Sequence, residues 1–292
     1  MKVYIECMPC FIRQALESSK LVTDDEIVQE QVVRHVLMMA ANLDMSKSPP
    51  EISQQIHRLI RKMTNENDPY SQLKQKFNKL ALRMLSELEE KISKSENPLE
   101  TAIRLAIAGN IIDLGVKTSL TESDVEEVIK NCLTVDFDNS QIEEFQNSIN
   151  KAEKILYLTD NAGEIVFDRL LIEQLPMEKV TVAVRGKPII NDATMEDAEF
   201  AGLTELVEVI DNGTDAPGTV LESCSDELRQ YFENADLIIS KGQGNYETLS
   251  DSDKNIYFIL KAKCPVVARD LDCEIGRMVL RNRKSLTVLQ KG

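Results

Sequence analysis

Hydrophobic and polar positions alternate with two different periods along the chain. From Phe11 to about Asn150 the spacing is helical. Ile27, Val32, Val33, Val36, Leu37 and Met38 form one apolar stripe, and Ile52, Ile56, Leu59, Ile60 and Met63 form another. Leu73, Phe77, Leu80, Leu82, Met84, Leu85, Leu88 and Ile92 continue the pattern. Such recurrence at three and four residues is the mark of amphipathic helices. Ser48-Pro49-Pro50 and the stretch from Asn65 to Pro69 read as breaks. After Lys151 the period changes. Short apolar runs at 155–158, 180–184, 206–210, 237–239 and 266–268 read as strands, with helical stretches between them at 164–174, 193–201 and 225–233. Strand–helix alternation predicts a mostly parallel sheet covered by helices. The fold class is therefore α/β: an all-helical domain over residues 1–150, packed on a Rossmann-like, three-layer α/β domain over 151–292.

A parallel sheet puts the loops that follow its strands on one edge, where open α/β sheets bind ligands. Strand one is followed by Asp160-Asn161-Ala162-Gly163-Glu164, and strand two by Arg185-Gly-Lys-Pro-Ile-Ile-Asn-Asp192. Strand three is followed by Asp211 to Asp215, and strand four by Ser240-Lys-Gly-Gln-Gly-Asn245. A single Asp or Gly in a loop is an ordinary turn residue. Four loops in register, rich in Asp, Asn, Lys and Gly, point to a site. Asp160, Asn161 and Asp192 offer hard oxygen ligands for Mg²⁺ or Mn²⁺, with Co²⁺ or Ni²⁺ as in-vitro substitutes. Lys241 can neutralise phosphate oxygens, and Gly242 and Gly244 permit close backbone approach to an anion near a helix start at Glu247. The first loop lacks the G-x-G-x-x-G of a dinucleotide site, and Gly242-Gln-Gly244 is followed by Glu247 where the third Gly would stand.

Composition narrows the partners. With 34 basic against 49 acidic residues the formal charge is −15, which disfavours nucleic acid and requires a locally positive site for any phosphorylated ligand. No apolar run approaches the length of a membrane span, and the first residues do not read as a signal peptide, so a cytoplasmic protein without a membrane partner is expected. The six cysteines are scattered, and only Cys7-Met-Pro-Cys10 has ligand-like or redox-like spacing; a turn with two half-buried thiols is the alternative. Oligomeric state is left open.

These loops, with Cys7-Met-Pro-Cys10, Asp68-Pro-Tyr70, Lys74, Asn78 and Gly109-Asn110-Ile-Ile-Asp113, make nearly the whole chain resemble the damage-control phosphatases, a domain-of-unknown-function family. The N-terminal Cys pair resembles the prokaryotic branch. The resemblance implies a divalent metal held by Asp160, Asn161 and Asp192, and hydrolysis of small phosphate monoesters such as sugar phosphates or damaged phosphometabolites. It implies catalytic roles for Asp160, Asp192 and the phosphate-contacting Lys241. Substrate-binding roles are implied for Asn110, Asp113, Arg185, Gly213, Gly242 and Asn245. Attack by a metal-activated water is expected because both carboxylates are needed as ligands; attack by a carboxylate first is the other route. Two alternatives remain: a non-catalytic metabolite- or metal-binding protein, and a carboxyl methyltransferase using S-adenosylmethionine.

Overall fold

The computed structural model describes residues 1–111, 122–135 and 137–282. Among the described residues, seven α-helices precede the first strand: α1 (Met8–Val22), α2 (Glu26–Ala41), α3 (Pro49–Thr64), α4 (Ser71–Ser93), α5 (Pro98–Ile111), α6 (Glu122–Thr134) and α7 (Ile142–Lys151). The break expected at Ser48-Pro49-Pro50 is a helix start. Ser48 and Glu51 form a capping box and the prolines occupy the first turn of α3, where their missing N–H groups leave no intrahelical bond unmade.

Six strands follow: β1 (Ile155–Leu158), β2 (Val180–Val184), β3 (Glu208–Asp211), β4 (Leu237–Lys241), β5 (Ile256–Lys261) and β6 (Met278–Asn282). Between them lie α8 (Glu164–Ile172), α9 (Met195–Phe200), α10 (Asp226–Asn234), α11 (Gly242–Leu249) and α12 (Pro265–Asp270). The sheet order is β3-β2-β1-β4-β5-β6, parallel except for β6. Order reverses between β1 and β4, paired from Ile155–Leu237 to Leu158–Ser240, and that is where such sheets bind ligands.

Two sequence expectations change. Residues 266–268 are helical, not a strand: Pro265 opens α12, and the Cys264 thiol caps it by accepting from the Val267 N–H. A three-residue apolar run cannot by itself separate a buried strand from a buried helix. The strands at that edge are instead β5 and β6, which the reading passed over. Helix α11 begins at Gly242, directly after β4, rather than near Glu247.

The sheet is buried on both faces. One hydrophobic cluster runs from α4, α5, α6 and α7 through α8 to Ile155, Tyr157, Val182, Ile239 and Ile259. The other face packs Leu156, Leu158, Ile238 and Phe258 against α10, α11 and α12. A separate cluster joins α1, α2 and α3. Long helical residues thus reach the carboxyl edge of β1 and β4 from above.

Candidate active site

Strand β1 delivers Asp160 and Asn161 to the switch point. Thr159 anchors the strand end, its N–H and Oγ1 both donating to the Ala183 carbonyl at 3.1 and 3.0 Å. The loop after β2 then folds back. Ala193 N–H donates to Asp160 O, Ala162 N–H to Asn191 O and Arg185 N–H to Ala193 O, each at 2.8 Å. An antiparallel bridge results between Asn161 and Asp192, 31 positions apart in sequence but adjacent here. The three expected ligands therefore meet in one corner. The fold-back holds Ile190 at φ +44°, a conformation side chains rarely adopt.

The corner is crowded with carboxylates. Asn110 Nδ2 donates to Asp160 Oδ2 at 2.8 Å and to Glu164 Oε2 at 2.9 Å, and Asn161 Nδ2 bridges the same two oxygens at 2.9 and 3.0 Å. Burial pushes the Asp160 carboxyl well above its usual range, and the charges of Glu164 and Asp192 add to that shift. Asp192 is bound by Arg185 Nε at 2.6 Å. Glu164 is bound by Lys241 Nζ at 2.7 Å. Asp160 makes no ion pair among the described residues. Gly242 leaves room for it: at φ +80°, a Cβ there would lie 1.9 Å from Asp160 Oδ2.

Lys241 is fully buried, and its ammonium donates to Ala106 O at 3.1 Å, to Glu164 Oε1 and to Asp168 Oδ1. Tyr157 OH donates to the same Asp168 oxygen at 2.9 Å. Burial alone would lower the Lys241 pKa, but the Asp168 and Glu164 charges outweigh it and raise the value, so the group stays cationic. In this arrangement the expected phosphate-contacting lysine has all its donors on protein acceptors.

Arg185, Asn245 and Gly213 stand behind the corner. Arg185 is 2 % exposed and spans Asp192 and Asn245, whose Oδ1 accepts from it at 3.3 Å. Asn245 Nδ2 donates to the carbonyls of Thr159 and Lys241, tying β1 to β4. Gly213, at φ +73°, lets the loop after β3 close against Gly186 and Ser225. Asn110 reaches the corner from α5, and Asp113 lies outside the described residues. Glu164 and Asp168 were not singled out from the sequence, although both fall inside the motif that begins at Asp160. Glu164 is in the first turn of α8, where an acid is ordinary capping chemistry, and Asp168, one turn later, is a lone acid in an amphipathic helical pattern.

An open cleft of about 580 Å³ is lined by Asp160, Asn161 and Asp192. Its opposite wall carries Cys7, Cys10 and Arg13 from the start of α1. Cys10 is exposed and Cys7 half-buried, both free thiols. A second cavity, about 740 Å³, opens at the amino ends of β1 and β2 and holds none of the candidate residues.

The donor set fits a hard divalent cation. Among the described residues no group of three or more His, Cys, Asp or Glu side chains is arranged to hold an ion. Two carboxylates and one amide oxygen remain, a set that leaves positions for water and suits Mg²⁺ or Mn²⁺ rather than a thiophilic metal. Asp160, buried beside Glu164 and Asp192 and in no ion pair among the described residues, is the observation that favours a cation there.

Known proteins match nearly the whole chain. Residues 3–279 match the family model of the damage-control phosphatase ARMT1-like domain. A damage-control phosphatase of Archaeoglobus fulgidus is 37% identical over 96% of this chain and 99% of its own length. One of Pyrococcus horikoshii is 37% identical over 98% of this chain and 100% of its own length. A protein of Methanocaldococcus jannaschii is 39% identical over 97% of this chain and 96% of its own. The crystal structure of a DUF89 family protein from Pyrococcus horikoshii superposes with a TM-score of 0.87 at 35% identity, covering 97% of this chain and 99% of the other. With the β1–β4 switch point, its carboxylate corner and a match that spans both the helical and the sheet residues, the chain belongs to the ARMT1-like damage-control phosphatase family.

Proposed function

We propose that the chain is a metal-dependent phosphatase that hydrolyses small phosphate monoesters, such as sugar phosphates or damaged phosphometabolites. One observation carries this reading: Asp160 is buried beside Asn161 and Asp192, makes no ion pair among the described residues, and lines an open cleft. The names of the relatives from Archaeoglobus fulgidus and Pyrococcus horikoshii support the reaction class.

Asp160, Asn161 and Asp192 would hold the cation. A bound Mg²⁺ or Mn²⁺ supplies charge neutralisation for phosphoryl oxygens and lowers the pKa of a coordinated water. The chain's own part is to keep the ligands aimed. Arg185 fixes Asp192 through Nε, and Asn110 with Asn161 fixes Asp160 Oδ2. Water adds to phosphorus, the ester P–O bond breaks, and the alcohol leaves with a proton as inorganic phosphate forms. Lys241 is already neutralised by Glu164 and Asp168, so to offset charge on the phosphoryl group it has to release one of its three acceptors.

The test is phosphate release from a panel of sugar phosphates, with Mg²⁺, Mn²⁺, Co²⁺ and Ni²⁺ in turn. Asp160→Ala and Asp192→Ala are each expected to abolish it, and chelator to silence the parent. Full activity in either variant or in chelator overturns the proposal. Metal uptake without turnover on any substrate would favour a binding protein, and calorimetric binding of S-adenosylmethionine would favour a methyltransferase.

A further inference from the structure

The cation ligands sit on two separate turns, and one amide side chain of the helical residues holds both. Asn78 lies on α4 and is 3 % exposed. Its Oδ1 accepts from the Gly163 N–H at 2.6 Å, and its Nδ2 donates to Asp197 Oδ1 at 2.7 Å. Gly163 follows Asn161 by two residues. It stands at φ +75°, and a Cβ there would come within 2.9 Å of Phe77 Cβ, so α4 presses directly on this turn. Asp197 controls the other turn. Its Oδ2 accepts from both the N–H and the Oγ1 of Thr194 at 2.8 Å, two residues after Asp192.

Lys74, one turn earlier on α4, completes the clamp. Its ammonium is 2.8 Å from Asp197 Oδ2 and 3.8 Å from Asp68 Oδ2. Asp197 is thus a buried carboxylate whose oxygens are both engaged, one by Asn78 and the other by Lys74 and Thr194. The turn carrying Asp160 and Asn161 and the turn carrying Asp192 are joined by backbone bonds and the short Asn161–Asp192 bridge. Asn78 adds a rigid strut from outside the sheet that spans both.

We infer that Asn78, supported by Lys74 and Asp197, is a positioning residue that sets the separation of the Asp160–Asn161 pair from Asp192, and so sets the affinity for the cation. This rests on the metal reading above. It also goes further, because it makes ion affinity a property of how α4 is seated on the α/β layer. Side chains that orient ligands from outside the coordination sphere typically change affinity by about 10–100-fold.

The experiment uses the whole chain stripped with chelator, with Mn²⁺ alone as titrant in calorimetry, and reads amide hydrogen exchange in the metal-free protein. Asn78→Ala is expected to weaken Mn²⁺ binding by about tenfold or more and to speed exchange at both Gly163 and Thr194. Asn78→Asp still accepts from Gly163 but sets a carboxylate against Asp197; it should speed Thr194 alone and still weaken Mn²⁺. Ile92→Ala, a buried change at the far end of α4, controls for loosening of the helical core and should leave Mn²⁺ affinity within about twofold. Unchanged affinity in Asn78→Ala overturns the inference, as does an equal loss in Ile92→Ala. Protection at Thr194 that survives both Asn78 variants overturns the coupling even if affinity falls. No uptake of Mn²⁺ by the parent overturns the metal reading itself, and the exchange rates then decide whether Asn78 joins the two turns.

Discussion

Asp160→Asn should make the metal-free protein more stable while removing its function. Asp160 Oδ2 and Glu164 Oε2 share the amide nitrogen of Asn110 at 2.8 and 2.9 Å, so they stand no farther apart than those two distances together. At that range, about 5–6 Å, two unit charges repel by roughly 3 kcal/mol at an effective dielectric near 20. Asp192 adds to this, whereas Arg185 and Lys263 draw the Asp160 carboxyl the other way. An Asn side chain can turn its oxygen to the same Asn110 and Asn161 donors, so the substitution removes the repulsion and keeps the hydrogen bonds.

The pH dependence fixes the sign. Burial raises the folded pKa of Asp160 well above the ordinary carboxylate value, so the native state holds this proton more tightly than the unfolded chain does. Its contribution to stability is therefore present at low pH and is lost as pH rises above about 4 through the folded value. Asp160→Asn lacks that loss, so its advantage is small near pH 4 and approaches about 2–3 kcal/mol near pH 8. Cation reverses the order. The parent gains about 4.1 kcal/mol when the ion is at about a thousand times its dissociation constant, and the variant gains almost nothing. Urea unfolding in chelator and in excess Mn²⁺, at two pH values, reads all four numbers. A variant less stable than the parent in chelator at pH 8 refutes the electrostatic argument. A variant stabilised by Mn²⁺ as strongly as the parent refutes the assignment of Asp160 as a ligand.

Lys241→Met should cost about 3–5 kcal/mol in urea unfolding, because Glu164 and Asp168 lose their shared cation in a buried site; unchanged stability with lost activity would instead make Lys241 a phosphate contact alone. Gly242→Ala drives a methyl onto Asp160 Oδ2 and should weaken Mn²⁺ binding on the order of 100-fold by calorimetry, with parental affinity excluding the packing argument. Burial lifts the Glu247 carboxyl to about 7 from 4.5, so it stabilises the fold below pH 4.5 and loses that contribution as pH rises through 7. Glu247→Gln should consequently gain roughly 3 kcal/mol on the parent between pH 4.5 and 8 in chelator, and a constant difference across that range would show the carboxyl to be solvated.

Much of the corner was legible because it is local. The apolar run 155–158 and the acid–amide pair after it located β1 and its candidate ligands, and β2 and β4 followed from the same signal. Val266 to Ala268 failed for the opposite reason: Pro265 and a thiol cap outweighed a β-branched run too short to have a period. Lys241 shows a different limit. Its flanking glycines marked it as functional, yet nothing in the sequence says that Glu164, Asp168 and Ala106 O enclose its ammonium, since those partners lie 73 to 135 positions away. Arg185 and Asn245 had the same fate, noticed as loop residues and found as cross-links beneath the loops.

The helical residues are needed because a sheet edge alone cannot hold this much negative charge. Asp160, Glu164, Asp168 and Asp192 are all buried. The sheet and its loops supply Lys241 and Arg185, and those two cations are consumed by Glu164, Asp168 and Asp192. What remains must be solvated by dipoles rather than charges, and those come from far upstream: Asn110 for Asp160 and Glu164, the Ala106 carbonyl for Lys241, Asn78 for the two turns. Helix α3 repeats the arrangement on the next loop, where Gln54, Arg58 and Arg61 converge on Asp215. Neutral amides suit the corner better than further cations would. They orient the carboxylates without pairing with them, so Asp160 is left without an ion pair among the described residues and can exchange its tightly held proton for a divalent ion. A lysine at position 110 would satisfy the metal-free protein more fully and, by the same electrostatics, would compete with the ion it is meant to receive.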